Sequence, residues 1–590
     1  METITTDVLV VGDSVGSVAA AIQASRRGIK TILAAEFPWL GGMLTSAGVC
    51  APDGNELRAW QTGLWGAYLQ ELQARQSIGL DNGWVSLFTY HPHCGAGIFA
   101  DWVQQIPDLL WLRGYKPLSV MKESEKVTGV QFSQNLQVKA TITIDGTELG
   151  DLLALAEAPY RWGWESFKEF NEPSLALAET DYPDLKNRYP VQAPTWVFLL
   201  QDSDNGASCL PVNSSSRQLF KGAWDKHGAE KFLSYGRLTD NLYMINWPIA
   251  GNDYGVGLDR LITSENSRKE FLTKAYHHSY DFAAYIQSEL GKSCTLAQDI
   301  FPHQDSSINS AFALYPYYRE SRRLIGKTTI TERDILPLDN GWVAPLPVNE
   351  AGVVNAIAIG NYPNDHHYPG IEFPLQPKSI RWGGRWTGTP FTIPYDALIP
   401  QTLEGLLVCE KNISVSHIAN GSTRLQPVVM NIGQAAGMAA ALCIEYDCQP
   451  RELDVKILQQ ALLTDPIAPS AVIPLFNLSP NHPQWLYWQQ YYLEHPENYP
   501  QSGNCPCDEI EDITVAQNQI YQGKFRCYGA QNYSIILKNS VFKKKTYGLI
   551  TLHSQVNQQL LDYPHNQPIS VLGRVSKTGY WLIVEKIQHL

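Results

Sequence analysis

The chain has 590 residues and a formal charge of −13. That length allows three or four domains, or one large α/β domain with additions, and the acidity disfavours nucleic acid or an anionic membrane as the main partner. Apolar residues make up 44% and charged residues 17%, a balance that excludes wholesale disorder.

The N-terminal METITTD is acidic and runs straight into a strand, without a secretory signal. No apolar run approaches the roughly 20 residues that span a bilayer, so a cytoplasmic protein is expected. Val8 to Val11 is all apolar, as in a parallel strand buried on both faces. A turn follows, then a small-residue helix from Ala19 to Ala24 that Gly28 caps. Lys30 to Glu36 reads as a second strand ending in an acid, 24 positions after Gly12. Strand, turn, helix, strand and terminal acid are the parts of a dinucleotide-binding unit, in which the acid accepts from ribose hydroxyls. The G-x-G-x-x-G pattern is degraded: Gly12 is present, Ser14 and Ser17 hold the other two places, and Gly16 lies one position off. Serine is small, and the helix N-terminus still offers N–H groups to an anion. A second glycine-rich segment, Leu40 to Gly48 with Gly41 and Gly42, comes directly after the acid. A second close backbone approach suits the longer dinucleotide FAD better than NAD.

Val120 to Ala140 reads as a hairpin around VTG and QNLQ, and Thr141 to Asp145 as a strand turning at Gly146 and Gly150 into a helix. Arg319, Arg322 and Arg323 fall at helical spacing, open either to a clamp on a carboxylate or phosphate or to a surface salt-bridge face. Histidines are the acid–base candidates: His93 after Pro92, His366 and His367 beside Asp365, and His417 before an Asn420-Gly421 turn. Arg381 to Gly388 reads either as a loop covering a pocket or as a plain surface loop. Gly405 to Cys409 is a buried strand, and Gln426-Pro427 opens a Gly/Ala-rich helix.

Beyond residue 445 comes a Pro- and Trp-rich connection with one helix over Trp485 to Leu493, then five short strands from about Asp508 that suggest a small barrel, the OB fold among the candidates. Lys543 to Lys545 is read as a solvated turn, with nucleic-acid contact as the alternative. Of ten cysteines only Cys505 and Cys507 are close, with no second pair at zinc-site distance, so no metal site is expected.

Several stretches in order resemble the FAD-dependent oxidoreductases of the glutathione-reductase-like superfamily, specifically the group labelled xanthan lyase-like: EFPWLGGMLTSAGV, TYHPHCGAGIFADWV, ITIDGTELGDLLALA, YYRESRRLIG, NYPNDHHYP, and LLVCEKNISVSHIANGSTRLQPVVMNIGQAAGMAAAL. They span about residues 5–445. The chain departs from the family in the first-turn glycines and in Cys409-Glu410-Lys411, where Ala-Gly-Arg is usual. Glu410 there either accepts from the ribityl hydroxyls or repels the pyrophosphate.

The resemblance implies an α/β fold: a Rossmann-like FAD domain with a parallel sheet and inserted β-meander (1–160 and 390–445), an inserted α+β substrate domain (161–389), a connection (446–507) and a small all-β domain (508–590). It implies FAD held at Gly12, Ser14, Gly16, Ser17, Glu36, Gly41, Gly42, Met43, Asp145, Gly421, Gln426, Gly433 and Ala436. The catalytic candidates are His93, His366, His367 and Arg424. The expected activity is hydride removal from a C–OH or C–N centre of a small molecule to flavin N5, with a histidine base and a separate electron acceptor (oxygen, a quinone or a protein). The competing expectation is a degenerate nucleotide-binding body that presents the barrel to a partner or to single-stranded nucleic acid.

Overall fold

The computed structural model describes every residue except 77–78, 203–209, 212–216, 240, 292, 303–307, 339–340, 510–517, 539–544 and 589–590. Strand β1 (Glu2–Val11) lies at the centre of a seven-stranded sheet. Its apolar end, Val8 to Val11, is buried on both faces because parallel neighbours flank it: β2 (Thr31–Ala35) on one side and β6 (Leu136–Asp145) on the other. Beyond β2 runs β3 (Leu109–Arg113), also parallel. Beyond β6 the antiparallel β5 (Lys126–Phe132) and β4 (Pro117–Glu123) form the meander. Its first turn falls at Ser124 and Glu125, and the VTG read as a turn lies inside β5.

The sheet is completed from far along the chain. Strand β7 (Leu406–Val408) adds in parallel to the C-terminal end of β6, with Leu406 opposite Thr143. Helix α1 (Val15–Arg26) follows β1, and α2 (Pro92–Gln104) precedes β3. A five-residue helix α3 (Asp151–Leu155) follows β6. The long α4 (Glu265–Leu290) belongs to the region between β6 and β7, which also holds a three-stranded antiparallel sheet of 198–202, 242–245 and 294–296. After β7 come α5 (His417–Thr423) and α6 (Gln426–Tyr446). Among the described residues α6 alone is long and apolar enough to cross a membrane, and it is buried within the protein. It crosses α1 closely because Gly433 and Gly437 are bare: a Cβ at either would lie 2.2 Å from the carbonyl oxygen of Gly16 or Ala20.

Two expectations are corrected here. Arg319, Arg322 and Arg323 are not on a helix; the segment is extended, and Arg323–Leu324 pairs with Tyr160–Arg161. Asn420-Gly421 is not a turn but lies inside α5, which Ser416 caps by accepting from Ala419 N (3.0 Å).

Helix α7 (Trp485–Glu494) lies in the connection. The last segment closes into a five-stranded barrel, order β8 (Gln519–Cys527), β9 (Tyr533–Leu537), β10 (Thr546–Ile550), β12 (Trp581–Gln588), β11 (Pro568–Val575), with helix α8 (Ser554–Asp562) between β10 and β11. It has its own core, including Phe525, Ile535, Leu549, Val571 and Leu582. The 381–388 segment, read as a loop, is a hairpin in which Ile380–Trp382 pairs with Arg385–Thr387, and it docks on the barrel: Thr551 N donates to Gly383 O (2.9 Å) and Arg385 lies over the Trp581 ring. Lys543 and Lys544 lie outside the described residues.

Candidate functional site

Gly12 leaves β1 with φ 125°, and a Cβ there would lie 2.4 Å from Gly146 O, so only glycine serves. Ser14 is the N-cap of α1: its Oγ accepts from Ser17 N (3.2 Å). The Ser17 hydroxyl turns back to Ser14 O (3.0 Å). Both serines therefore spend their hydroxyls on the helix turn. Gly41 and Gly42 fold over the same turn, each donating its N–H to Asp13 O (2.8 and 3.0 Å), with Met43 buried beneath. Glu36 stands exposed just past the end of β2.

The anion seat at the start of α1 has a tenant. Glu410, fully buried one residue past Cys409 at the end of β7, accepts from Gly16 N through Oε2 (3.0 Å). Its other oxygen meets Lys411 Nζ at 3.1 Å, and the same ammonium binds Glu148. Burial lowers the Lys411 proton affinity, but Glu148 and Glu410 outweigh it and hold the group above the usual lysine range. Tyr315 OH reaches Asp13 at 3.3 Å. Burial, reinforced by Glu148, keeps the Asp13 carboxyl well above the usual carboxylate range. Gly16 N and Lys411 Nζ are donors that can meet an anion, and Glu410 takes both. Asp145, at the end of β6, is committed elsewhere: it accepts from Thr147 N (2.9 Å) and Leu153 N (3.2 Å), and burial raises its pKa to about 6.

A cavity of about 450 Å³ opens at the N-terminus of α6, lined among others by Asp53, Asp253, Tyr317, His367, Arg424 and Gln426. His367 sits between two carboxylates, Nδ1 to Asp253 (2.7 Å) and Nε2 to Asp365 (2.8 Å). Asp253 also pairs with Arg319 (3.1 Å); burial alone would raise its pKa, but Arg319 and His367 bring it to about 2. Asp365 is likewise held well below the usual range, against burial, by His367, Lys378 and Arg424. Asp53 is pushed well above the range by burial and Glu56. The cavity thus sets Asp53, whose carboxyl is pushed up, beside Asp253 and Asp365, whose carboxyls are pulled down. Arg424 Nη1 donates to Tyr317 OH (2.5 Å), while Arg424 Nε and Gln426 Oε1 are buried without hydrogen-bond partners. Leaving a buried polar atom bare costs about 1–3 kcal/mol, and Arg424 and Gln426 both line the cavity.

A second set of hydrogen bonds leads away from the cavity. His366 Nε2 meets Ile418 O (2.9 Å) and Nδ1 meets Tyr368 OH (2.7 Å); the same hydroxyl meets His417 Nε2 (2.6 Å), whose Nδ1 meets Glu320 (2.8 Å). A carbonyl can only accept, so His366 Nε2 carries hydrogen and Nδ1 is left to accept from Tyr368. His417 then donates to Tyr368 and accepts from a protonated Glu320. The electrostatics agree with that polarity. Burial, with His417 beside it, lowers His366 to about 3; burial lowers His417 well below its usual range; and burial raises Glu320 to about 7.

The structure therefore brings His366, His367, Arg424 and Gln426 to one cavity. Gly421 presses α5 against His366, where a Cβ would lie 2.6 Å from Nε2. His93 is elsewhere, exposed at the start of α2 and edge-on to Trp39, with Nε2 on Asp299 O (3.2 Å). Gly433 and Ala436 are buried in α6, Gly433 against Gly16. Sequence reasoning missed Asp53, Asp253, Tyr317, Glu320 and Tyr368. The YPYYRESRR run carried a signal for two of them, since so polar a run with so many tyrosines is seldom a plain surface.

A family model described as FAD dependent oxidoreductase matches residues 7–462. No curated protein matches the chain. Among solved structures, the chain is similar to a geranylgeranyl bacteriochlorophyll reductase-like protein from Thermoplasma acidophilum (12% identity, 78% of this chain and 84% of that one, TM-score 0.33). It is also similar to L-proline dehydrogenase from P. horikoshii (10% identity, 77% and 96%, TM-score 0.33) and to E. coli quinol fumarate reductase FrdA (12% identity, 79% and 76%, TM-score 0.27).

Proposed function

Because the chain belongs to the FAD-dependent oxidoreductase family, whose cofactor is FAD, we propose that it oxidises a small polar molecule, at a C–OH or C–N centre, bound in the cavity at the start of α6. FAD, when bound, supplies the two-electron acceptor. The residues to hold it are the Gly12–Ser17 turn, Glu36 and the Gly41–Met43 segment, with Gln426 at the ring end. The observation that carries the reading is the pair of unpartnered buried atoms, Arg424 Nε and Gln426 Oε1, at the cavity wall. A donor residue and an acceptor residue lining one cavity suit a substrate hydroxyl, amine or carboxylate.

In this reading the proton leaves along the second set of hydrogen bonds. Both nitrogens of His367 already face carboxylates, leaving no lone pair for a substrate proton. His366 is the base in this reading once Glu320 is ionised: His417 then donates to Glu320 and accepts from Tyr368, and the His366 Nδ1 lone pair is left without a donor. A proton reaching its Nδ1 passes through Tyr368 and His417 to Glu320, provided Glu320 is ionised at the outset. Arg424 and Arg319 fix the substrate and the acidic wall rather than moving protons.

The test is anaerobic bleaching of the purified flavoprotein against amines, amino acids, alcohols and sugars. A compound that bleaches one flavin per chain names the substrate class. A panel that leaves the flavin oxidised removes the reading. Glu410 on Gly16 N favours a second reading, a nucleotide-binding body without turnover, which a colourless purified protein supports.

A further inference from the structure

We propose that Glu410 and Lys411 are an exchangeable pair over the diphosphate seat: Glu410 holds the seat in the cofactor-free protein, and Lys411 is the residue that meets the diphosphate after Glu410 turns away. This rests on the reading of the chain as FAD-binding.

The first-turn amides of α1 are almost all in use. Ser17 N donates to Ser14 Oγ and Val18 N to Ser14 O (3.1 Å). Gly16 N is the donor that a diphosphate needs, and Glu410 Oε2 has it. Lys411 is fully buried between two carboxylates, Glu410 and Glu148. One cation for two anions leaves the cluster a negative charge in excess, and a diphosphate placed beside it unchanged would sit against like charge in a water-poor site.

Turning one side chain resolves the conflict. The backbone at 410 is pinned, because Glu410 N donates to Asn412 Oδ1 (3.1 Å) and Asn412 Nδ2 donates to Asp145 O (3.1 Å). Movement is therefore confined to the Glu410 side chain. Its departure frees Gly16 N and half of the Lys411 ammonium together, and both then face the incoming phosphates. The chain fills the seat with a carboxylate and sets a lysine next to it.

The experiment titrates the full chain, stripped of co-purified flavin, with FAD and with riboflavin, following flavin fluorescence. Glu410→Gln is expected to bind FAD at least tenfold more tightly than wild type, and Lys411→Met at least tenfold more weakly. Riboflavin, which has no phosphate, should shift less than twofold in either. Unchanged or weaker FAD binding in Glu410→Gln overturns the inference while leaving the flavin reading intact. An equal shift for riboflavin also overturns it. If neither wild type nor Glu410→Gln takes FAD, both fall. If only the variant takes it, Glu410 does not turn away in the wild type, and the exchange is overturned together with the flavin reading of the wild-type protein. Should Lys411→Met fail to fold, the two-ligand comparison on Glu410→Gln decides alone.

Discussion

Ser14 and Ser17 look like losses when compared with G-x-G-x-x-G, yet their hydroxyls cap and brace α1, an office that glycine cannot fill. Replacing Ser14 with Ala is expected to cost about 1 kcal/mol of stability, read as a lower urea midpoint with an unchanged slope; an unmoved midpoint would show the cap to be idle. Glu320 gives a second expectation at this scale. Burial raises its pKa to about 7, and the relay accepts a proton only when that carboxyl is ionised. Turnover should therefore rise with pH through about 7. In Glu320→Gln that limb should vanish, with kcat lowered and KM little changed; a wild-type rising limb retained by the variant would remove Glu320 from the route. These residues differ in how far the sequence exposes them. Asp365 and His367 are two positions apart, so their pairing could be read directly. Asp253 lies 114 residues from His367, and Glu320 lies 97 from His417; only folding makes them neighbours. Glu410 was legible as a departure, but its bond to Gly16, 394 positions away, was not.

Among elements, β1, its turn, α1 and β2 were legible because a continuous apolar run, a glycine and a small-residue helix each impose one backbone geometry. The Gly/Ala-rich α6 was legible too, with Gly433 and Gly437 meeting the backbone of α1. Gly437→Ala sets the gain in helix propensity, about 1 kcal/mol, against a Cβ placed 2.2 Å from Ala20 O. Overpacking of that kind typically costs 1–3 kcal/mol, and here the obstacle is backbone that cannot swing aside. A net loss of about 1–2 kcal/mol in equilibrium unfolding is expected, and a gain would mean that α1 and α6 have room to part. The 319–323 arginines misled because charge spacing was read as a helix without apolar periodicity to support it. In the fold each finds a carboxylate: Arg319 meets Asp253, Arg322 meets Asp151, and Arg323 meets Glu165 and Glu320. Helix α8 escaped notice because SQVNQQLLD offers so few apolar anchors, with Val556 and Leu560 buried among polar neighbours.

At the scale of the whole molecule, the barrel has a core of its own but joins the body through Ile550 and Ile583, which are buried in the main core, and through polar contacts that include Arg574 with Asp81 and Arg58 with Glu585. The family pattern stops at residue 462, so the sequence offered strands for the barrel but no guide to where it docks. The fastening includes one titratable centre. His553, at the cap of α8, meets Glu585 (2.8 Å) on β12 and Glu509 (3.4 Å) on the incoming segment. Burial alone would lower its pKa, but the two glutamates raise it to about 9. Because the folded value exceeds the unfolded one of about 6.5, the stabilisation is fully present below about pH 6.5 and is lost as pH rises through about 9. The depressed pKa of Glu585 reflects the same contact and adds nothing separate. The linkage amounts to about 3 kcal/mol, enough to loosen the barrel while the body remains folded. Tryptophan-monitored melting should show a barrel transition that falls steadily between pH 6.5 and 9.5. In His553→Gln the transition should be lower at pH 6.5 and almost flat across that range, since the amide keeps hydrogen bonds without a charge. A wild-type transition indifferent to pH would mean that the two glutamates do not hold a proton on His553, and that the barrel is fastened by its neutral contacts and its arginines alone.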